Sequence, residues 1–458
     1  MNGLVTGTKI GRDQTVAALE TSRGAIDGFR GVFGTTATNE EVFSVAVEEK
    51  LGAALAGGAI SVFCYGHTGT GKTHTTLGYG DEPGLYSLIT RSLLRRLDPG
   101  LSLHVRFVEL HNRKVYDLLH DRRECHLREN SEGDLCVRGG VEVMEDGRVY
   151  AMNQRSVVVA TEADVDEVLA KGLAHRATGS SSMHDRSSRS HGVLELEIVS
   201  QELISAREAV AEAEAREVPV GKEAIDLSIR FWTKGLFKFE QNHHVVVPSC
   251  DGDDSITTEE WMDRVRAEAK AVEEVKQRAH EAKLKHEEVR AYEKRVLASA
   301  ARSVGGKVTL ADLAGADKDE RDISSTTNKE EKAESMFINK SLMALGQCIA
   351  ALATGKGKPP FRDSTLTRVL APVLSPREGK VNKAVMIVNV SPSKEMAKWT
   401  TNSLQYGRMA AGGKDRKGGM TGGGPVERKQ KNVGAAVLGG LKDGAFPGPS
   451  DGLEITIA

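Results

Sequence analysis

The segment of this chain best suited to chemistry lies near residue 70. It reads Gly66-His67-Thr68-Gly69-Thr70-Gly71-Lys72-Thr73, which satisfies the phosphate-loop pattern G-x-x-x-x-G-K-[ST]. In such a loop backbone N–H groups surround phosphate oxygens, the lysine reaches the β and γ phosphates, and the threonine hydroxyl ligates Mg²⁺. The segment also lies between an apolar run and a helical stretch, as the pattern requires. We therefore predict a nucleotide site formed by Gly66, His67, Thr68, Gly69, Thr70, Gly71, Lys72, Thr73 and His74.

Two further segments have the residue types to complete such a site. Ser187-Ser188-Arg189-Ser190-His191 combines hydroxyls that can ligate Mg²⁺ or orient water with an arginine that can pair with a carboxylate. Taken alone, it is equally compatible with a serine loop that becomes phosphorylated. Asp312-Leu313-Ala314-Gly315 follows an apolar run, so that Asp312 can hold Mg²⁺-bound water and the Gly315 N–H can meet a γ-phosphate. A lone D-x-x-G is weak evidence for a phosphate site, because many turns after strands contain this pattern.

The elements that must position these segments alternate between strands and helices. Short apolar runs predict buried strands at residues 59–65, 103–110, 192–199, 307–311 and 384–390. Apolar residues at helical spacing predict helices at residues 43–56, 164–173 and 332–353. With the phosphate loop, this alternation predicts an α/β fold like that of P-loop NTPases, in which helices cover both faces of a mostly parallel or mixed central sheet.

Two regions depart from this alternation. Residues 202–304 are rich in charge and predict a mainly helical insertion, including one helix of about 40 residues at 259–300 and a small β-hairpin within 225–247. A solvated helical hairpin is the simpler interpretation, and a partner-binding element is the alternative. Residues 412–458 are rich in glycine and lysine and predict a disordered tail.

The composition is that of an ordinary globular protein, and net charge alone selects no partner, since a local basic patch could still bind nucleic acid. The 458 residues carry 62 Lys plus Arg against 64 Asp plus Glu, a net charge of −2, without the basic excess typical of nucleic-acid binders. The five cysteines form no CxxC pair and no zinc-type cluster, so we expect free thiols in a reducing compartment. Neither a signal peptide nor a long uninterrupted apolar stretch is evident.

Taken together and in this order, the three chemical segments resemble those of a kinesin motor domain. Residues 66–76 match the family's phosphate loop, 187–191 its first switch and 312–317 its second switch. Further matches are ELHNRKVYDLL at 109–119, INKSLMALG at 338–346 and PFRDSTLTR at 360–368. The resemblance runs over residues 29–411, which leaves residues 1–28 as a separate N-terminal segment.

The resemblance implies ATP hydrolysis that microtubules stimulate, with ATP and Mg²⁺ as cofactors. Ser187 would position the attacking water, and Arg189 would pair with a carboxylate of the second switch. The implied catalytic residues are Ser187, Ser188, Arg189, Gly315 and Asp317, and the implied Mg²⁺ ligands are Thr73, Ser188 and Asp312.

The implied partner is tubulin, whose acidic exterior suits a local basic surface. We assign that surface to Lys340, Lys356, Lys358, Arg362 and Arg368, although each could instead be a solubilising charge. The resemblance places the protein in the cytoplasm on the microtubule cytoskeleton, with no nucleic acid other than ATP and no membrane as partners. A monomer is expected, since no long heptad repeat lies outside the insertion.

Some family features are missing from the sequence. The Arg-x-Arg-Pro strand that packs on the adenine in kinesins is not found before residue 29. Short matches at 83–86, 176–179 and 324–325 resemble the microtubule-depolymerising internal-motor class, but the Lys-Val-Asp loop of that class is not found. The alternative function is therefore a kinesin-like tubulin-binding scaffold that does not hydrolyse ATP.

Overall fold

The chain divides into two compact units. In the computed structural model the first comprises Met1–Val137, Gln154–Ile198 and Arg302–Ala458, and the second comprises Arg138–Asn153 and Val199–Ala301. The structure describes residues 17–21, 24–29, 31–129, 135–177, 189–233, 237–240, 243–246, 258–299, 303–316, 329–355, 357–375, 380–393, 395–410 and 453–456.

The strands follow the predicted alternation and extend it. In chain order they are β1 Ala17–Thr21, β2 Gly24–Phe29, β3 Ala59–Gly66, β4 Gly78–Tyr79, β5 Glu82–Pro83, β6 Leu101–His111, β7 Lys114–Asp117, β8 Arg123–Glu129, β9 Leu135–Val143, β10 Val149–Asn153, β11 Val157–Val159, β12 His191–Ser200, β13 Phe237–Glu240, β14 His243–Val246, β15 Lys307–Asp312, β16 Asn382–Asn389 and β17 Leu453–Thr456.

The helices range from single turns to more than forty residues. They are α1 Asn39–Ala46, α2 Gly52–Leu55, α3 Lys72–Leu77, α4 Leu85–Leu94, α5 Glu162–Ala177, α6 Gln201–Thr233, α7 Thr258–Ser299, α8 Lys329–Thr354, α9 Thr365–Leu374 and α10 Ala397–Ala410, with short 3₁₀ helices at Glu48–Leu51 and Phe361–Asp363.

The central sheet is mixed and brings the ends of four strands together. The strand order is β9-β8-β7-β6-β12-β15-β3-β16-β17, and β11 pairs with β6. Strand β3 runs parallel to β15 and β16, with Cys64 opposite Asp312 and Gly66 opposite Asn389. Strand β12 is antiparallel to β15, with Gly192 opposite Asp312. The start of β12 therefore lies at the same sheet edge as the carboxyl ends of the three parallel strands.

Helices cover both faces of this sheet, as predicted. All eight residues of β3 are buried, as expected for a strand with an apolar layer on each side. Phe63 and Tyr65 pack in a cluster with buried residues of α8, α9 and α10. Val62 and Cys64 pack in a second cluster with α1, α4 and α5.

The insertion forms the second unit together with a β-ribbon that was not predicted to join it. Helix α7, with 42 residues, and the β13–β14 hairpin confirm the expected elements. The distal part of β9 pairs with β10, and Arg138 and Arg148 of this ribbon contact Glu214 and Glu212 of α6 at 2.9 and 2.7 Å.

Two sequence predictions require correction. Residues 43–56 do not form one helix, because α1 ends at Ala46 and a 3₁₀ turn at Glu48–Leu51 precedes α2. The tail expected to be disordered contains β17, which pairs in parallel with β16, with Ala384 opposite Leu453.

The remaining general expectations concern cysteines and membrane helices. The four cysteines that the structure describes, Cys64, Cys125, Cys136 and Cys348, are free thiols. Among the described helices, Ala333–Thr354 within α8 is long and apolar enough to cross a membrane by length and composition alone. Its Ile338, Leu342 and Leu345 pack in the core of the first unit, as in a core helix.

Candidate functional site

The phosphate-loop segment forms a turn between β3 and α3 at the shared sheet edge. Gly69 and Gly71 have φ values of +81° and +93°, a left-handed conformation that favours glycine. The ammonium of Lys72 is buried and donates hydrogen bonds to the carbonyls of Gly66 and His67, both at 3.0 Å. The lysine charge is therefore held inside the loop, where the backbone curls around it.

The end of β15 meets this loop directly. The Ala316 N–H donates to the Gly66 carbonyl at 3.2 Å. A Cβ placed on Gly315 would lie 2.0 Å from Oγ1 of Thr68, so only glycine fits here without movement of Thr68. The geometry brings Gly315, predicted to sense phosphate, next to the residues predicted to bind phosphate.

Asp312 is buried at the same edge. One of its carboxylate oxygens accepts a hydrogen bond from Arg176, a residue to which the sequence analysis assigned no catalytic role. The Arg176 guanidinium of α5 donates to Oδ2 of Asp312 at 2.8 Å and to the Ser190 carbonyl at 3.0 Å. Burial opposes the charge of Arg176, but Asp312 raises its pKa above the ordinary value. Among the described residues, the buried Oδ1 of Asp312 has no hydrogen-bond donor. Oδ2 is therefore held by Arg176, and Oδ1 remains available to accept a hydrogen bond.

His191, at the start of β12, links the two switch segments. Its Nδ1 accepts a hydrogen bond from the Ala314 N–H at 3.0 Å, so this nitrogen carries no proton. Burial, and then the positive charges of Arg176 and Lys72, lower the pKa of His191 to about 3. A neutral imidazole therefore connects the strand that follows the first switch to the turn of the second.

Arg189 contacts a carboxylate that was not predicted. Its Nη1 lies 3.4 Å from Oε2 of Glu334 in α8, and Nε2 of His111 lies 2.7 Å from Oε1 of the same residue. Burial opposes the charge of Glu334, but His111 and Arg189 together lower its pKa. This cluster joins the first switch to α8, the helix that carries the INKSLMALG match.

Several predicted residues cannot be placed. Ser187, Ser188, Asp317 and Lys356 lie outside the described residues, so the proposed water-positioning serine, one Mg²⁺ ligand and the expected Arg189–Asp317 pair have no structural account. Thr73 follows Lys72 in the first turn of α3, and the half-exposed His74 lies 3.3 Å from Glu82.

The predicted tubulin-binding residues lie on consecutive elements of the first unit. Lys340 is exposed on α8, Lys358 is exposed in the following loop, and Arg362 lies on the 3₁₀ helix with 84% of its side chain exposed. Arg368 of α9 lines a cavity of about 250 Å³. Other basic residues that line this cavity were not predicted, namely Arg113, Lys114 and Arg128.

Weak signals in the sequence point to some of the residues that were missed. Arg176 lies in one of the short matches, but its pairing with Asp312 spans 136 residues and has no local pattern. Glu334 lies four residues before Ile338, one helical turn upstream of a recognised match. Trp399 of α10, whose ring centroid lies 4.8 Å from that of His67, has no such signal.

Comparison with known proteins agrees with this geometry. The family model described as the kinesin motor domain matches residues 13–218 and 262–412. Kinesin-like protein KIF24 of Homo sapiens is 24% identical over 385 residues, covering 82% of this chain and 19% of that protein. Kinesin-like protein KIN-8A of Arabidopsis thaliana is 27% identical over 383 residues, covering 82% and 37%. The chain thus spans less than two fifths of the length of these curated relatives.

Solved structures agree on the fold. The motor domain of the Kar3-like kinesin from Ashbya gossypii superposes with a TM-score of 0.52 at 20% identity, covering 89% of this chain and 92% of that one. At this identity the likeness concerns the fold and not the details of the site.

Proposed function

The chain belongs to the kinesin motor-domain family, and we propose that it is an ATPase stimulated by microtubules, acting as a motor or a microtubule depolymerase. The observation that carries this proposal is the convergence of three segments at one sheet edge. The phosphate loop, the turn after β15 and the start of β12 meet there with Lys72, Asp312 and His191 buried. Phosphoryl transfer depends mainly on positioning and charge stabilisation, which such a buried cluster favours.

The residues present fit ATP and Mg²⁺. The loop offers backbone N–H groups and the Lys72 ammonium to phosphates, and the available oxygen of Asp312 suits water bound to a divalent cation. Thr73, Ser188 and Asp312 would hold Mg²⁺, which neutralises charge on the phosphates when bound. Arg176 would keep the Asp312 carboxylate oriented, and Gly315 would let the second switch approach the loop.

The basic surface of α8, the 3₁₀ helix and α9 supports tubulin as the partner. Lys340, Lys358 and Arg362 are exposed, and Arg362 has only the partly exposed Glu129 at 3.5 Å as a described ion-pair partner. Exposed cations of this kind steer association with an acidic surface and do so less at high salt.

The experiment that tests this proposal measures how nucleotide affects pelleting with microtubules. A working kinesin site predicts that a non-hydrolysable ATP analogue and ADP give dissociation constants that differ by about tenfold or more, because nucleotide and tubulin binding are coupled. Binding that is the same in every nucleotide state would contradict the proposal and leave the scaffold function. Imaging of stabilised filaments then separates shortening, expected of the depolymerising class, from gliding.

A further inference from the structure

One face of α8 exposes two methionines to solvent. Met336 and Met343 are 59% and 55% exposed. Lys340 and Gln347, on the same helix, are also exposed. At about 100° and about 1.5 Å per residue, these four positions lie within about 60° of the helix circumference and span about 16 Å. We call Met336, Lys340, Met343 and Gln347 the α8 stripe.

The α8 stripe points away from the core of its own unit. Ile338, Leu342 and Leu345 lie on the opposite side of α8 and pack in the buried cluster of the first unit. A change in the chemistry of the two exposed thioethers therefore leaves the core contacts of α8 in place.

The charges around the α8 stripe suit an acidic partner. Lys340 lies between the two methionines, and the exposed Lys358 and Arg362 follow on the next segments of the chain. Opposite charge attracts an acidic protein surface to these positions. Methionine is flexible and polarisable, so that Met336 and Met343 can pack against an irregular partner surface once it is there.

Given the proposed function, on which this inference rests, we propose that peroxide oxidises Met336 and Met343 to methionine sulfoxide and thereby reversibly weakens tubulin binding. A lone pair of the thioether sulfur attacks one peroxide oxygen, and the O–O bond breaks. The other oxygen leaves as hydroxide and takes the proton of the transferred oxygen to become water. The sulfur is thus oxidised by two electrons, and the peroxide is reduced.

Exposure determines which methionines of the chain react. Met386 of β16 is 2% exposed and is protected from peroxide in the folded protein. In the second unit, Met144 is 39% exposed and provides a reactive methionine that lies outside the α8 stripe.

The sulfoxide changes the polarity of the α8 stripe without changing its charge. It converts an apolar side chain into a polar one, which must lose its hydration when a partner covers it. We expect the microtubule dissociation constant to rise by about tenfold or more when both methionines are oxidised. High salt should change this factor little, whereas the effect of charge reversal at Lys340 is screened by salt.

Co-sedimentation of the full chain with stabilised microtubules tests the proposal. Hydrogen peroxide is removed with catalase before microtubules are added, so that tubulin is not oxidised. Dithiothreitol then reverses disulfide and sulfenic acid formation at cysteines but leaves methionine sulfoxide. Peptide mass spectrometry measures the oxidised fraction at residues 336 and 343. Binding should weaken as that fraction rises and should recover after treatment with methionine sulfoxide reductases.

Substitutions assign the effect to the α8 stripe. Met336→Leu with Met343→Leu removes both reactive sulfurs, so peroxide should change the affinity of this variant by less than about twofold, whatever its value before treatment. Met144→Leu should respond to peroxide as the unsubstituted chain does. Met336→Gln with Met343→Gln introduces polar side chains and should weaken binding without peroxide.

Failure of this inference and failure of the proposed function give different results. If the untreated chain does not bind microtubules, the proposed function fails and the inference fails with it. If the untreated chain binds and the chain oxidised at both positions binds equally well, only the inference is overturned. Loss of binding by the double leucine variant after peroxide would also overturn it, because other residues would then be responsible. Circular dichroism before and after treatment separates loss of binding from unfolding.

Discussion

At the scale of single residues, the candidate site combines a phosphate-loop segment with charged side chains that other helices supply. The glycines, Lys72 and Asp312 are recognisable because their pattern is local. Arg176 and Glu334 reach the site from helices distant in sequence, and only the fold brings them there. A buried charge that contacts the site from another element has no spacing rule that the sequence could reveal.

Arg176 should matter for stability far more than an exposed arginine. Arg176→Met leaves the buried Asp312 carboxylate without its counter-charge, and we expect the free energy of unfolding to fall by about 3–5 kcal/mol. Arg95→Met removes an exposed ion pair with Glu162 and should cost less than about 1 kcal/mol. Urea denaturation of both variants compares them, and equal losses would contradict the role assigned to Arg176.

His191 should make the fold sensitive to acid. Its pKa is about 3 when folded and near 6.5 when unfolded, so between about pH 6.5 and pH 3 the imidazole is protonated mainly in the unfolded chain. Its contribution to stability is complete above pH 6.5 and declines as the pH falls toward 3. Between pH 7 and pH 5 we expect a loss of about 2 kcal/mol from this group alone.

The comparison variant is His191→Asn, whose side-chain oxygen can still accept the Ala314 N–H but does not titrate. Urea denaturation at several pH values should show a shallower decline for this variant by about 2 kcal/mol over the same interval. Identical pH profiles for the two proteins would mean that His191 is not buried in its neutral form.

At the scale of elements, hydrophobic pattern predicts the central strands because both faces of the sheet are buried. Strands β3, β6, β12, β15 and β16 are confirmed within a few residues of the predicted bounds. The break at Val47 and the strand β17 were not predicted, because local spacing does not reveal a 3₁₀ turn or an edge strand in a glycine-rich tail. The second unit contains the long helices α6 and α7, while its β9–β10 ribbon depends on contacts distant in sequence.

A partly buried ion network links three neighbouring strands of the central sheet. Arg106 of β6 contacts Glu195 and Glu197 of β12 at 2.7 and 2.9 Å, and Lys307 of β15 contacts Glu195 at 3.2 Å. Burial opposes the charge of Arg106, but the two glutamates raise its pKa. Strands β12 and β15 adjoin the two switch segments at their other ends, so the network cross-links the strands that lead to the candidate site.

Removing the Arg106 side chain should destabilise the pairing of β12 and β15. We expect Arg106→Met to speed amide hydrogen exchange in β12 and β15 by at least tenfold, since the buried Glu197 and the partly buried Glu195 lose the arginine that they share. Lys114→Met, which removes an exposed pair with Glu124, should leave their exchange unchanged. Unchanged exchange in Arg106→Met, measured by mass spectrometry, would show that the network does not stabilise the strands.

At the scale of the whole molecule, the family is readable from the sequence because its motifs recur in a fixed order along most of the chain. The proposed tubulin contacts are harder to predict, because exposed lysines and arginines have no distinctive spacing. The fold places Lys340, Lys358 and Arg362 on consecutive elements, and Arg113, Lys114 and Arg128 line one cavity with Arg368.

Charge reversal on this surface should weaken microtubule binding. We expect Lys340→Glu and Lys358→Glu each to raise the dissociation constant by roughly 3- to 10-fold at low salt, and less at high salt. Lys171→Glu makes the same change at an exposed position on α5 and should have no such effect. Co-sedimentation at two salt concentrations measures this, and equal effects for all three variants would indicate only the loss of general positive charge.

The central claim, a working ATPase site, is tested most directly by steady-state ATP turnover with and without stabilised microtubules. We predict turnover that microtubules stimulate and that Lys72→Ala lowers by about 100-fold or more, because the variant removes the charge held inside the phosphate loop. Folded protein that still binds microtubules but shows no turnover, or turnover that survives Lys72→Ala, would contradict the account.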